Sequence, residues 1–270
     1  MRRRGQDHPE QRRVTSGAVT APNGATLVNL AVGDLDILVH RTFSFDRFVD
    51  LLRRRENGLV SPGLWDDPFE NFLLAHTLVR TPDGELGTLE PLAADWYGQC
   101  WTATADSDAM WRIYSATHTG IKATARLGDL LDGLATSVSL TARLQAFAGR
   151  VEYHDQQAIA AHMSSLTFTD LALGGTNDRF AELLCVKREA FAHEDEIRLL
   201  YCDVDRKQTD GKVYRYGFDP NTVLASVEVD PRMSNQDAAT VIAKLRAGGL
   251  TVPAARSTLY DAPSFTIPLE

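Results

Sequence analysis

Apolar residues fall at helical spacing in Phe45, Phe48, Val49 and Leu52, directly behind Ser44, a side chain suited to capping the first free amides of a helix. This predicts a helix over 45–55, stopped by Asn57-Gly58. Another helix is predicted to open at Trp65-Asp66-Asp67-Pro68, with Pro68 in its first turn. Further helices are expected over Ser107 to Ser115, over the Leu- and Ala-rich stretch Leu127 to Ala148, near 155–165 and 178–188, and from Asn235 to Ala247 before Gly248-Gly249. Short apolar runs predict strands at Leu27 to Val32, Asp36 to His40, Leu59-Val60, Tyr97 to Thr102 and Ile121 to Ala125. Later strands are predicted at Val151 to His154, Val213 to Phe218, Val223 to Val229 and Thr266 to Leu269. Ser61-Pro62-Gly63 and Thr81-Pro82-Asp83-Gly84 read as turns. Helices and strands mix without a regular alternation, so the fold class is α+β rather than a doubly wound parallel sheet.

The stretch from Lys187 to Tyr201 departs from this pattern: it reads as a strand entered from a helix, with charge where a strand is usually apolar. Alternation puts Glu194, Glu196 and Arg198 on one face and Ile197, Leu199 and Tyr201 on the other. Carboxylates this close raise each other's pKa unless a cation stands near, and Arg198 and Lys187 are available for that. The cluster is a candidate site of chemistry. A salt-bridged, solvated strand edge would account for the same residues.

Composition narrows the classes. A net charge of −8 over 270 residues argues against indiscriminate binding to nucleic acid or membranes, while leaving room for a local basic groove. Residues 1–24 read as a disordered basic tail, with arginines but no apolar core of a secretory signal, and 25–270 as a single domain without a linker. Cys100, Cys185 and Cys202 are odd in number and widely spaced, which fits a reducing, cytoplasmic setting and neither a disulfide framework nor a zinc site. No apolar run is long enough to span a bilayer, so no membrane partner is expected.

Other residues join the charged stretch as candidates. His40-Arg41 closes a predicted strand, and Arg41 has the geometry to clamp a phosphate. Asp66, Asp67 and Glu70 sit at a predicted helix start, where acids also serve simply as caps. Thr102 ends the strand containing Cys100, read as a small buried apolar residue. Trp111 and Tyr114 share a helical face and are either core or a stacking surface for a planar ring. No His-x-x-x-His, Gly-x-Ser-x-Gly or phosphate-loop pattern occurs.

The order of these clusters resembles a bacterial family known as a domain of unknown function. The pattern runs through His40-Arg41, Asp-Pro-Phe-Glu at Asp67 to Glu70, Cys100-Trp101-Thr102, Met-Trp-x-x-Tyr at Met110 to Tyr114 with Gly120-Ile121, and Lys187 to Arg198. Asp66 and Phe191 stand where that family usually has Asn and Trp. A basic residue on a first strand, a Thr strand and a closing Glu-x-Glu are also similar to the ADP-ribosyltransferase superfamily. That resemblance implies mixed or antiparallel sheets forming a cleft flanked by helices, with NAD as substrate. It implies that His40 or Arg41 holds the NAD phosphate or ribose and that Thr102 supports the nicotinamide ribose. Glu196 would be catalytic, with Glu194 orienting an acceptor. Trp111 or Tyr114 would stack on a base, and Arg198 would belong to the same binding set. The acceptor would be water, protein, nucleic acid or a small molecule, and family association adds a defence or toxin-like role.

The leading expectation is therefore an NAD-dependent ADP-ribosyltransferase or NAD glycohydrolase. One rival is a metal-dependent nuclease or phosphodiesterase using Asp67, Glu70, Glu194 and Glu196. The other is a non-catalytic nucleotide or nucleic-acid binding module, in which the aromatic pair stacks and the arginines contact phosphate.

Overall fold

The computed structural model describes residues 18–65, 78–80, 83–88, 93–137, 145–165, 178–203 and 212–266. The predicted features at Asp66 to Glu70, Thr81-Pro82 and 267–269, and most of the basic tail, lie outside them. In chain order the strands are β1 (Val19–Thr20), β2 (Thr26–Val28), β3 (Leu38–Phe43), β4 (Glu56–Val60), β5 (Leu78–Arg80), β6 (Leu86–Thr88), β7 (Trp96–Thr102) and β8 (Ile121–Arg126). They continue as β9 (Ala146–Arg150), β10 (Glu152–His154), β11 (Val186–Arg188), β12 (Glu196–Cys202), β13 (Val213–Gly217), β14 (Leu224–Val229) and β15 (Ala254–Arg256). The α-helices are α1 (Phe45–Arg54), α2 (Asp108–Tyr114), α3 (Leu127–Ser137), α4 (Gln156–Ser165), α5 (Asp178–Leu183), α6 (Pro220–Val223) and α7 (Asn235–Ala247).

The fold is α+β. An eleven-stranded mixed sheet runs β1-β2-β9-β12-β7-β3-β8-β14-β15, and β4, itself paired with β13, joins β7 from the side. The sheet forks at β7. Toward its C-terminal end β7 meets β3 at the His40–Thr102 pair, and toward its N-terminal end it meets β4 at Val60–Gly98. Between these contacts its backbone has no strand neighbour on that side, and buried polar groups need partners. Arg41 supplies one to the β7 backbone, and the other buried side chains at the fork satisfy one another. Asn57 and Gln99 exchange two hydrogen bonds of 2.9 and 2.8 Å, the Tyr216 hydroxyl accepts from Asn57 at 2.9 Å, and the Trp101 indole donates to Gln99 at 2.9 Å. The Arg41 guanidinium donates to the Cys100 carbonyl.

One sheet face carries the main core: Val39, Leu59, Tyr97, Trp101, Ile197, Leu199, Tyr201 and Val227 pack under α1, α3 and α7. The other face is divided. Beneath α5, Trp96, Phe147, Phe180 and Leu200 make a second apolar cluster with Trp65. Toward the fork the same face turns polar, and the candidate residues lie there.

Several sequence expectations need correction. Helix α1 starts at its Ser44 cap but ends on Arg55, which takes the left-handed conformation at φ 52°; Asn57-Gly58 belongs to strand β4, where Asn57 serves the fork. Ala146 to Ala148 form a strand instead of continuing α3, because between β2 and β12 they are wholly buried and sheet burial overrides their helix propensity. At Gly149 any Cβ would lie 2.3 Å from the Cys185 sulfur, so only glycine lets α5 approach the sheet. Residues 186–188 are a strand rather than the end of a helix, and Val32–Asp36 is a 3₁₀ turn.

Candidate functional site

Register builds the site. Glu196 on β12 is paired with Thr102 on β7, Thr102 with His40 on β3, and His40 with Thr124 on β8. Directly paired residues share a face, so these side chains form one row across four strands. Arg198 and Cys100, also paired, stand beside the row, as do Thr42 and Lys122.

Glu194 reaches the site by another route than strand alternation. It ends a 3₁₀ turn (Glu189–Glu194), and Asp195 then adopts the left-handed conformation at φ 40° before the strand begins at Glu196. Asp is among the few residues that tolerate this as a single step. Asp195 is held by Arg150 at 3.0 Å. The reversal brings both carboxylates to one lysine: Lys187 Nζ lies 2.6 Å from Glu194 Oε2 and 3.2 Å from Glu196 Oε2. Lys187 also sits over the Phe191 ring, 4.9 Å from its centroid.

Glu196 is clamped. Arg198 donates to both its oxygens, at 2.8 and 3.0 Å, and Cys100, paired with Arg198 across the strands, helps keep the same carboxylate ionised. The Tyr153 hydroxyl accepts from its backbone amide at 2.8 Å. Burial alone would raise its pKa, but the Arg198 guanidinium and Lys187 overcome that and hold the carboxyl at about 2. Arg198 is itself fully engaged, with the Leu184 carbonyl accepting from it and its guanidinium 4.3 Å above the Trp65 ring. It anchors Glu196 and does not line the cleft. Burial, and then Glu196, push the Cys100 thiol well up, so it is a neutral donor.

Beside this cluster lies a cleft of about 250 Å³, open solvent included, lined by His40, Thr42, Thr102, Thr104, Ser107, Met110, Trp111 and Lys122. Its roof is α2. Ser107 caps the helix by accepting from the Met110 amide at 3.3 Å. Arg232, paired with Asp230, donates to the Trp111 and Ser115 carbonyls at 2.9 and 2.6 Å and so fixes its other end. Trp111 is buried, with the Lys122 ammonium 5.8 Å from its ring centroid. Tyr114 diverges from it: the ring is half-exposed and its hydroxyl donates to Glu194 Oε1 at 3.0 Å.

His40 Nδ1 pairs with the Thr124 hydroxyl at 2.9 Å. Burial, and then the Lys122 charge, lower its pKa to about 4, so the imidazole is neutral at pH 7. The shift predicts a stability effect. A histidine held neutral in the fold but protonated in the unfolded chain gives stability that is complete above pH 6.5 and lost as pH falls toward 4. In His40→Gln that acid limb should disappear from urea unfolding midpoints measured between pH 7 and 4; an unchanged limb would reject the assignment.

All of the candidates His40, Arg41, Thr102, Trp111, Tyr114, Glu194, Glu196 and Arg198 fall within this region, in differing states. Thr102 and His40 line the cleft, while Glu196 and Arg198 are locked together behind it. Arg41 alternates toward the core face at the fork, and its buried Nε has no hydrogen-bond partner among the described residues. Sequence reasoning missed Tyr153, Lys122, Thr124 and the role of Trp65, whose contacts depend on strand register. Among the described residues no group of three or more His, Cys, Asp or Glu stands ready for a metal, and no helix is long and apolar enough to cross a membrane. Asp66, Asp67 and Glu70 lie outside the described residues.

No protein-family model matches the chain, and no curated protein matches it. Among solved structures, DarT of Thermus sp. 2.9 in complex with ADP-ribosylated ssDNA is 12% identical, over 82% of this chain and 93% of that one, with a TM-score of 0.36. The same protein in complex with NAD+ is 13% identical, over 83% and 98%, again at 0.36. A likeness of that size carries no weight in the functional reading, which rests on the residues.

Proposed function

We propose that this chain is an NAD-dependent ADP-ribosyltransferase or NAD glycohydrolase. One observation carries the reading: the basic residue, the threonine and the glutamate that the superfamily pattern requires in order along the chain are neighbours across β3, β7 and β12, with His40 and Thr102 lining one cleft and Glu196 directly behind them. Breaking the bond between nicotinamide and ribose develops an oxocarbenium cation, which a fixed, ionised carboxylate stabilises. Glu196 suits that role as a charge, because its depressed pKa keeps it ionised and Arg198 keeps it still. Neutral His40, which lines the cleft, suits a ribose hydroxyl, whereas Arg41, turned to the core face and bonded to the Cys100 carbonyl, braces β7 behind it. Thr102 supports the nicotinamide ribose, and Trp111 offers the ring surface of the roof. Glu194 orients the acceptor, which is water in the glycohydrolase and a nucleic acid, protein or small molecule in the transferase. A cytoplasmic setting accords with an odd number of widely spaced cysteines.

The test is release of nicotinamide from NAD by the purified protein, beside Glu196→Gln. The variant should fall by roughly 100-fold or more, the loss typical of one electrostatic stabiliser. Because Glu196 also neutralises buried cations, the comparison is made at a temperature where circular dichroism finds the variant folded. EDTA should leave the wild-type rate unchanged. An inert wild type whose melting temperature ignores NAD would end the reading, as would a folded Glu196→Gln protein with full turnover. Loss of activity in EDTA would favour metal-dependent phosphodiester chemistry.

A further inference from the structure

The two carboxylates differ in what they have left to offer. A carboxylate has about four acceptor positions. On Glu196 both oxygens are held by charged donors, Arg198 twice and Lys187 once. On Glu194, Lys187 holds Oε2, and Oε1 receives only the Tyr114 hydroxyl among the described residues. A hydroxyl arriving at Glu196 must break charged hydrogen bonds, whereas at Glu194 it need only replace another hydroxyl.

The geometry around Tyr114 suits such an exchange. Glu194 is 7% exposed and Tyr114 42% exposed, so the tyrosine stands between the carboxylate and solvent. Tyr114 is the last residue of α2, and the helix is fastened by the Trp111 side chain and by Arg232 on the Trp111 and Ser115 carbonyls. Rotation of the phenol leaves those anchors in place. The local charge selects the ligand group. Glu194 and Glu196 are balanced by Lys187 and Arg198, so among the described residues an incoming anion meets two carboxylates whose charges are already matched. A neutral hydroxyl donor meets no such penalty.

We infer that Tyr114 is a built-in competitor at Glu194, its hydroxyl occupying the position where a neutral hydroxyl of the reacting system hydrogen-bonds the carboxylate. The inference rests on the NAD reading and deepens it. That hydroxyl belongs either to a sugar of the nucleotide or to the attacking water. In the second case the water oxygen bonds to the ribose C1′ as the bond to nicotinamide breaks, nicotinamide leaves neutral, and the water proton passes to Glu194.

Tyr114→Phe keeps the ring and removes the competing hydroxyl. With NAD as probe and nicotinamide release as readout, a sugar hydroxyl at Glu194 predicts a KM about 5- to 10-fold lower with kcat little changed. Water at Glu194 predicts a kcat raised by a similar factor with KM unchanged. In either case the gain should vanish when Tyr114→Phe is made in a Glu194→Gln background. A tyrosine that only braces α2 would give a lower melting temperature with KM and kcat unchanged or worse, and that outcome would overturn the inference while the NAD reading stood. A wild type that neither binds nor cleaves NAD would remove both.

Discussion

Replacing Arg198 with methionine should lower the unfolding free energy by about 3–5 kcal/mol, the usual cost of removing one partner from a buried ion pair. Arg198 is 1% exposed and Glu196 3%. Methionine retains an unbranched apolar stem under the Trp65 ring, so the loss reports charge more than volume. The pH dependence supplies the sign. Glu196 titrates at about 2 in the fold against an ordinary value of 4.5, so its contribution is complete above pH 4.5 and lost as pH falls toward 2. That shift corresponds to about 3 kcal/mol. Without Arg198, burial dominates and the carboxyl titrates higher, so protonation relieves the variant. The gap between wild type and Arg198→Met should therefore narrow as urea midpoints are taken from pH 7 to pH 3. Equal midpoints at pH 7, or a gap that ignores pH, would refute the ionic account.

Trp111→Ala should cost about 3–5 kcal/mol as well, by emptying a large buried volume. Its local effect should exceed its global one. Helix α2 has seven residues, too few to persist without tertiary anchors. With the indole gone, the helix keeps only its end contacts, Arg232 on one side and Tyr260 on Asp108 at the other, and the Tyr114–Glu194 contact loses support. Hydrogen exchange should show residues 108–115 losing protection well beyond the drop in global stability. Ile113→Ala, on the exposed side of the same helix, is the control and should shift stability by no more than about 0.5 kcal/mol. Uniform loss of protection across the sheet in Trp111→Ala would mean that the roof has no separate stability.

Local signals were the legible ones. Ser44 before α1 and Gly248 after α7 cap or end a helix within a turn, so their chemistry is visible in the sequence. The alternation Ile197, Leu199, Tyr201 marked the core face of β12 for the same reason. Asn57-Gly58 misled because its turn-like composition serves a partner 42 residues away, Gln99. Ala146 to Ala148 misled because small residues suit both a helix and the crowded centre of a sheet. Glu194 and Glu196 were correctly paired for an incomplete reason: period-two alternation stops at Asp195, and Lys187 unites them. The row His40–Thr102–Glu196 depends on which strands are neighbours, which no local pattern encodes.

The strand order also governs when the site can exist during synthesis. Strand β12 lies between β7 and β9, yet it is the last of the three to be made, ending at Cys202. Until it emerges from the ribosome, β7 and β9 have no common neighbour, and His40 and Thr102 lack their third companion. Loop closures of this span are slow, and the nascent chain carries the apolar faces of β7 and β9 uncovered in the meantime. A chain cut short before Glu196 would lack the carboxylate and also the strand that joins the two halves of the sheet. Assembly of the centre is thus coupled by strand order to synthesis of the chain at least as far as Cys202.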